Sequence, residues 1–286
     1  MHTVIVGSGY TGSRVAACLP ADTVSIITRS QPTLGNVDIQ LRDFDSNEAE
    51  PIRLPDPCAV LYTVPPPTHG DDDPRLAGFL SRIDPAPARL VYLSTSGVYG
   101  DRGGNTVTEA DAPTPLTPRA RRRVAAETLL TDWCDAHGTA LCVLRVPGIY
   151  GPGRLGLDRL RDSGEVLRDE ESGPGNRIHV DDLTGCCIAA LGGAAPGGIY
   201  NVGDGDYRST TGFSRLLAQL AGLPEPQSIS LAEAETRWSA MRLSFVRESR
   251  RVDVSRMYEV LGYTPRYADP ADGIRASLAD EADAEN

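Results

Sequence analysis

The first half of the chain alternates short apolar runs with stretches whose apolar positions recur every three or four residues. Residues 3–7 predict a strand, and residues 11–19 follow as a helix with Val15, Ala16 and Leu19 on one face. Further apolar runs at 23–28, 37–41, 59–64 and 90–95 predict strands, the run at 37–41 being the weakest. Helical spacing returns over 71–83 and again over 118–137, before another strand at 140–146. Alternation of this kind predicts an α/β fold built on a doubly wound parallel sheet with helices on both faces. Pro65-Pro66-Pro67 stops the fourth strand where the C-terminal edge of such a sheet would lie.

The second half is less regular. Residues 148–176 are rich in glycine and charge, 181–191 return to an apolar helix, and 199–202 read as a short strand. Residues 211–220 and 254–261 have helical spacing, with proline-bearing 224–228 between them, and the acidic residues after Asp280 are expected to fray. The organisation predicted is a dinucleotide-binding domain from residues 1–147 with 178–206. A smaller substrate-binding lobe would come from 148–177 with 207–286.

Composition narrows the chemistry. A net charge of −11 over 286 residues argues against a broad basic face for nucleic acid. No stretch approaches the roughly 18 apolar residues of a membrane span. The amino terminus reads as a strand without a basic leader, so the expected location is cytoplasmic with no membrane partner. All 28 basic residues are arginine, so mechanisms that need a lysine are excluded. Arginine cannot replace lysine as nucleophile or proton donor, because its pKa stays above about 12. The six cysteines have no C-x-x-C or zinc spacing and the four histidines are scattered, so no metal is expected.

One motif carries chemistry in the right place. Gly7-Ser8-Gly9-Tyr10-Thr11-Gly12 fits G-x-G-x-x-G, directly after a strand and opening a helix. In a Rossmann-type fold Gly7 permits the turn, Gly9 lets backbone approach a pyrophosphate, and Gly12 lets helix and strand pack, with Tyr10 and Thr11 beside the phosphates. The second strand ends Ile27-Thr28-Arg29-Ser30, with no acid to bond a ribose 2′-hydroxyl. Arg29, with Ser30, suits a 2′-phosphate instead. NADP(H) is therefore the favoured cofactor and NAD(H) the alternative. Asp43 and Phe44 fall near the adenine position, and Val64 and Pro65 at the sheet edge near the cofactor.

Several later segments resemble the extended short-chain dehydrogenase/reductases, the NAD(P)-dependent epimerase/dehydratase superfamily. The run Val91-Tyr92-Leu93-Ser94-Thr95-Ser96-Gly97-Val98-Tyr99-Gly100 resembles the strand bearing that superfamily's catalytic Ser or Thr. Leu144-Arg145-Val146-Pro147-Gly148-Ile149-Tyr150-Gly151-Pro152-Gly153 resembles its strand-six motif, which places Pro147 by the cofactor. Ile178-His179-Val180-Asp181-Asp182, Tyr200-Asn201-Val202-Gly203 and Leu261-Gly262-Tyr263 are similar to later landmarks in the same order. The resemblance implies hydride chemistry on a small carbonyl or hydroxyl substrate, with Thr95 polarising the oxygen and Ser96 beside it. By the same analogy a homodimer is expected. His179 is expected to be a hydrogen-bonded structural residue.

The departure matters as much. The superfamily's helix carries a Tyr-x-x-x-Lys pair, and here that stretch puts Arg119 in the Tyr place and Arg123 in the Lys place. Arg123 would still bond ribose hydroxyls, whereas Arg119 cannot do the acid–base work of a phenol. Both are candidate site residues, and the run Arg119–Arg123 favours an anionic substrate. The missing dyad also suits a different reading, a dinucleotide-binding sensor that does not turn over.

Overall fold

The computed structural model describes residues 1–30, 37–43, 50–162 and 164–284. One sheet contains β1 (His2–Val6), β2 (Val24–Thr28), β3 (Asp38–Leu41), β4 (Cys58–Tyr62), β5 (Arg89–Thr95), β6 (Ala140–Val146) and β7 (Gly198–Asn201). Its spatial order is β7-β6-β5-β4-β1-β2-β3, and every neighbouring pair is parallel. The order reverses direction between β1 and β4, a switch point outside whose carboxyl ends such sheets bind ligands.

Strand periodicity explains the two faces. Ile5, Ala59, Leu61, Val91 and Leu144 point to one side, Val4, Val6, Val60, Tyr62, Leu90 and Tyr92 to the other. The first side is covered by α1 (Tyr10–Ala17) and α5 (Val180–Leu191), the second by α2 (Pro74–Leu80) and α3 (Pro118–His137). Five of the six cysteines are buried, in keeping with thiols that act as small apolar groups.

Helix ends follow local chemistry. Thr117 Oγ1 accepts the Ala120 N–H at 3.2 Å, Pro118 fills the first turn, and Gly138 at φ +68° closes α3. The predicted helix at 71–83 is shorter in the structure, because the Asp73 carboxylate accepts the Leu76 N–H at 3.1 Å and Pro74 begins the first turn.

The remaining elements sit beyond the C-terminal edge. Helices α4 (Leu157–Asp162), α6 (Thr210–Leu220) and α10 (Pro270–Ala284) enclose Tyr150, Leu160, Phe213, Leu217 and Ile274. The parallel pair Glu165–Leu167 and Gln227–Ile229 packs with α7 (Leu231–Arg237) and α8 (Ala240–Val246). Val254, Met257 and Leu261, in and around α9 (Ser255–Glu259), join the core on the α1 side. The tail expected to fray is helical through Ala284. Glu281 fixes it by accepting the Gly153 N–H at 2.6 Å.

Candidate active site

The glycine loop lies at the end of β1. Gly7 has φ +100°, and a Cβ there would come within 2.6 Å of Thr63 Oγ1, which itself donates to the Val6 and Gly7 carbonyls. A Cβ on Gly12 would meet the Gly7 carbonyl oxygen at 2.1 Å, so α1 packs on the loop only with glycine there. Gly9 is different. A Cβ on it would meet no atom of the described residues within 4 Å, and it heads α1 with no side-chain cap. The chain itself does not require glycine at position 9, while an incoming pyrophosphate on the uncapped helix N-terminus would. The residues present therefore fit a dinucleotide.

The loop is tied to its neighbours on two sides. Ser8 Oγ lies 2.7 Å from Thr28 Oγ1 at the end of β2, next to exposed Arg29 and Ser30. Tyr10 donates its hydroxyl to the Pro152 carbonyl at 2.8 Å, with the Arg14 and Arg154 guanidiniums 3.9 and 4.2 Å from its ring centroid.

Arg154 also lines a cavity of about 670 Å³ that opens beside the turn following β5. Thr95, Ser96, Gly97, Arg119 and Pro147 form the wall nearest the sheet. Thr95 Oγ1 accepts the Gly97 N–H at 3.2 Å, leaving its proton available to donate. Segment 248–251 forms the next wall. It is stitched to the loop after β5 by the Arg102 and Gly104 amides on the Ser249 carbonyl, at 2.9 and 3.0 Å.

Arg119 and Arg123, one turn apart on α3, have separate surroundings. The Arg119 guanidinium lies 4.4 Å over the Phe245 ring and faces the cavity. Burial pulls its pKa down, partly offset by Glu248. Arg123 turns back to the strand ends, donating to the Tyr92 hydroxyl at 2.9 Å and the Leu93 carbonyl at 2.8 Å. Burial raises the Tyr92 phenol to about 12 even with that cation beside it.

The cavity is rich in guanidinium. Arg177 lies 4.3 Å over Phe213 and donates to the Arg208 carbonyl at 2.7 Å. Arg242 lies 3.3 Å over Trp238 and donates to the Glu165 carbonyl at 2.6 Å. Burial holds the pKa of each down to about 10. Glu165 and Glu248 are the carboxylates of the lining, and both are engaged. Glu165 accepts from Arg237 at 2.8 Å and from the Trp238 indole at 3.0 Å, and Glu248 pairs with Arg250 at 2.9 Å. Tyr150 lines the floor with its phenol pKa raised steeply by burial.

The cavity thus brings Thr95, Ser96, Arg119 and Pro147 together. Arg123, Val64, exposed Pro65 and exposed Asp43 lie outside its lining, and Phe44 falls outside the described residues. His179 is buried at 1% exposure. Ser277 gives its proton to the Gly273 carbonyl, so His179 Nε2 donates to Ser277 Oγ while Nδ1 accepts the Asp181 N–H. The neutral ring satisfies both bonds, a structural role. Sequence reasoning missed Arg154, Arg159 and Arg242 as cavity residues, because nothing in their local spacing marks them.

Residues 75–203 match the model of the NAD dependent epimerase/dehydratase family. The protein YeeZ of Escherichia coli K12 is 29% identical over 272 residues, covering 93% of this chain and 88% of that protein. A solved structure of a functionally unknown conserved protein from Silicibacter pomeroyi superposes with TM-score 0.79 at 28% identity, over 98% of this chain and 99% of that one. A UDP-glucose 4-epimerase from Thermotoga maritima, solved with UDP-glucose, shares the fold with TM-score 0.77 at 17% identity, over 99% of this chain and 100% of that one.

Proposed function

We propose that this chain, whose residues 75–203 match the NAD dependent epimerase/dehydratase family, is a member of the extended short-chain dehydrogenase/reductase superfamily and an NADP(H)-dependent enzyme acting on a small carbonyl or hydroxyl substrate. The observation that carries this reading is the cavity beside Thr95, whose wall runs through Arg154 to the ring of Tyr10 in the glycine loop. Gly7, Gly9 and Gly12 would hold the pyrophosphate, and Arg29 with Ser30 the 2′-phosphate. Arg123 would bond the nicotinamide ribose through the N–H groups that Tyr92 and Leu93 do not engage. Bound there, the cofactor supplies or accepts hydride. The lobe of residues 148–177 with 207–286 would close over the substrate.

The chain's own residues define the rest. Thr95 donates a hydrogen bond to the substrate oxygen, its acceptor side being used by Gly97. Arg119 sets a permanent positive charge where relatives of the superfamily have a phenol, so it stabilises a developing oxyanion and moves no proton. The proton has to come from water or from an acidic group of the substrate. That departure is also what favours the second reading, a dinucleotide-binding protein without turnover.

Calorimetric titration with NADPH and then NADH, repeated on Arg29→Glu, tests the cofactor assignment. NADPH is expected to bind at least tenfold more tightly than NADH, with the preference erased in the variant. If neither nucleotide binds, the assignment fails.

A further inference from the structure

The cavity lining holds six arginines against two carboxylates, Glu165 and Glu248. Over the surface, guanidiniums pair with carboxylates, as in Arg121–Asp71 at 3.2 Å, Arg215–Asp169 at 2.7 Å and Arg247–Glu235 at 2.6 Å. Other arginines, such as Arg14 over Tyr10 and Arg256 over Tyr200, rest on rings singly, whereas the cavity gathers several in one space. Arg119, Arg154, Arg177 and Arg242 have no carboxylate within ion-pair distance among the described residues. Each has its guanidinium carbon over an aromatic ring instead, 3.3 to 4.4 Å from the centroid: Phe245, Tyr10, Phe213 and Trp238 in turn.

That arrangement has a physical consequence. Stacking on a ring fixes the plane of a guanidinium while leaving its N–H edge unspent, which suits bidentate bonding to an anion. Arg177 and Arg242 each spend one N–H on a backbone carbonyl, which locks the fork, and Asp204 and Asp206 act on Arg177 only from beyond ion-pair distance. Arg159 sits near Arg242 and adds a like charge, lowering the pKa of Arg242 further, and the two carboxylates of the lining are committed to Arg237 and Arg250. A single monoanion would leave most of this charge unmatched in a partly dehydrated space.

We propose that the cavity recognises a small organic acid carrying two or more carboxylate or phosphate groups, held by the ring-stacked forks of Arg119, Arg154, Arg177 and Arg242. This rests on the functional reading above for the reaction, but the anion site stands on its own contacts. It would orient the substrate's acidic groups along the cavity, with the reacting carbon against Thr95. An acidic group of such a substrate is also a proton source where the phenol is missing.

The test is calorimetry with citrate and with inorganic pyrophosphate as probes, in low-chloride buffer, on the wild type, Arg242→Gln, Arg177→Gln and the surface control Arg161→Gln. Binding of either probe is expected, weakened about tenfold or more in the first two variants and unchanged in the control. Arg242→Lys keeps the charge without the planar fork and is expected to fall in between. Citrate binding without pyrophosphate identifies a polycarboxylate, and the reverse a phosphorylated acid. The inference is overturned if neither probe binds, if Arg242→Gln and Arg177→Gln bind as well as wild type, or if UDP-glucose binds while both probes are silent. A parallel NADPH titration separates the two readings. Probe binding without NADPH binding keeps the anion site and removes the redox reading, whereas NADPH binding alone removes the anion site.

Discussion

Two buried regions of this molecule hold arginine in opposite ways. On the sheet, Arg145 is 2% exposed and donates to Glu127 Oε2 at 2.8 Å, while Ser94 donates to the other carboxylate oxygen. The Arg145 guanidinium also lies 4.8 Å from the Tyr99 ring centroid, and Tyr99 donates to Asn201 at 2.8 Å. The network joins α3, β5, β6 and β7, and its charge is balanced inside the chain. In the cavity, Arg177 and Arg242 have rings and carbonyls but no carboxylate within ion-pair distance among the described residues, Asp204 and Asp206 acting on Arg177 from farther off. The difference separates a group that stabilises the fold from one whose counter-charge comes from outside. Gly9 makes the same distinction on the backbone, since Gly12 is required by the Gly7 carbonyl and Gly9 by nothing among the described residues.

The largest effect should come from breaking the internal pair. Glu127→Gln leaves Arg145 buried without a counter-ion and is expected to cost about 3–5 kcal/mol in chemical denaturation. A loss below about 1 kcal/mol would mean that the pair contributes little and that the contrast with the cavity is one of geometry only.

Next come the buried titrating groups, which act in opposite directions. Burial lowers the pKa of His179, so the unfolded chain takes up the proton first. Stability from the neutral ring is present above about pH 6.5 and is lost as pH falls below that value. Burial raises Asp204 to about 7, so its folded form prefers the proton and stability is gained as pH falls through that value. Melting midpoints between pH 8 and pH 5 check both. His179→Phe should remove the loss on acidification, and Asp204→Asn should remove the gain. A smaller stability effect is expected from Arg242→Gln, about 1 kcal/mol, since it loses one ring contact with Trp238 and one bond to the Glu165 carbonyl but no ion pair.

Much of the sheet was legible because its signals are local. Alternating apolar strands, the G-x-G-x-x-G turn and the Pro118–Gly138 boundaries of α3 each lie within a few consecutive residues. Helix α10 was not legible, since Ile274 and Leu278 are nearly alone as apolar markers in a polar stretch and its order depends on contacts such as Glu281 with Gly153. Helices α7 and α8 were missed for a similar reason, each being only 7 residues long. Thr95 and Arg119 could be placed beforehand through the superfamily resemblance. The cage could not, because Arg119, Arg154, Arg177 and Arg242 come from α3, a loop, a short strand and α8 and meet only in the folded chain.

The central claim is that this fold binds a dinucleotide over Gly9, and Gly9→Ala tests it most directly. The added methyl meets no atom of the described residues within 4 Å and the backbone there has φ −73°, so the melting midpoint should not move. NADPH titrated calorimetrically should bind the wild type and lose at least tenfold in affinity for the variant. Equal NADPH affinity in the two proteins, or no binding to either, would contradict the account.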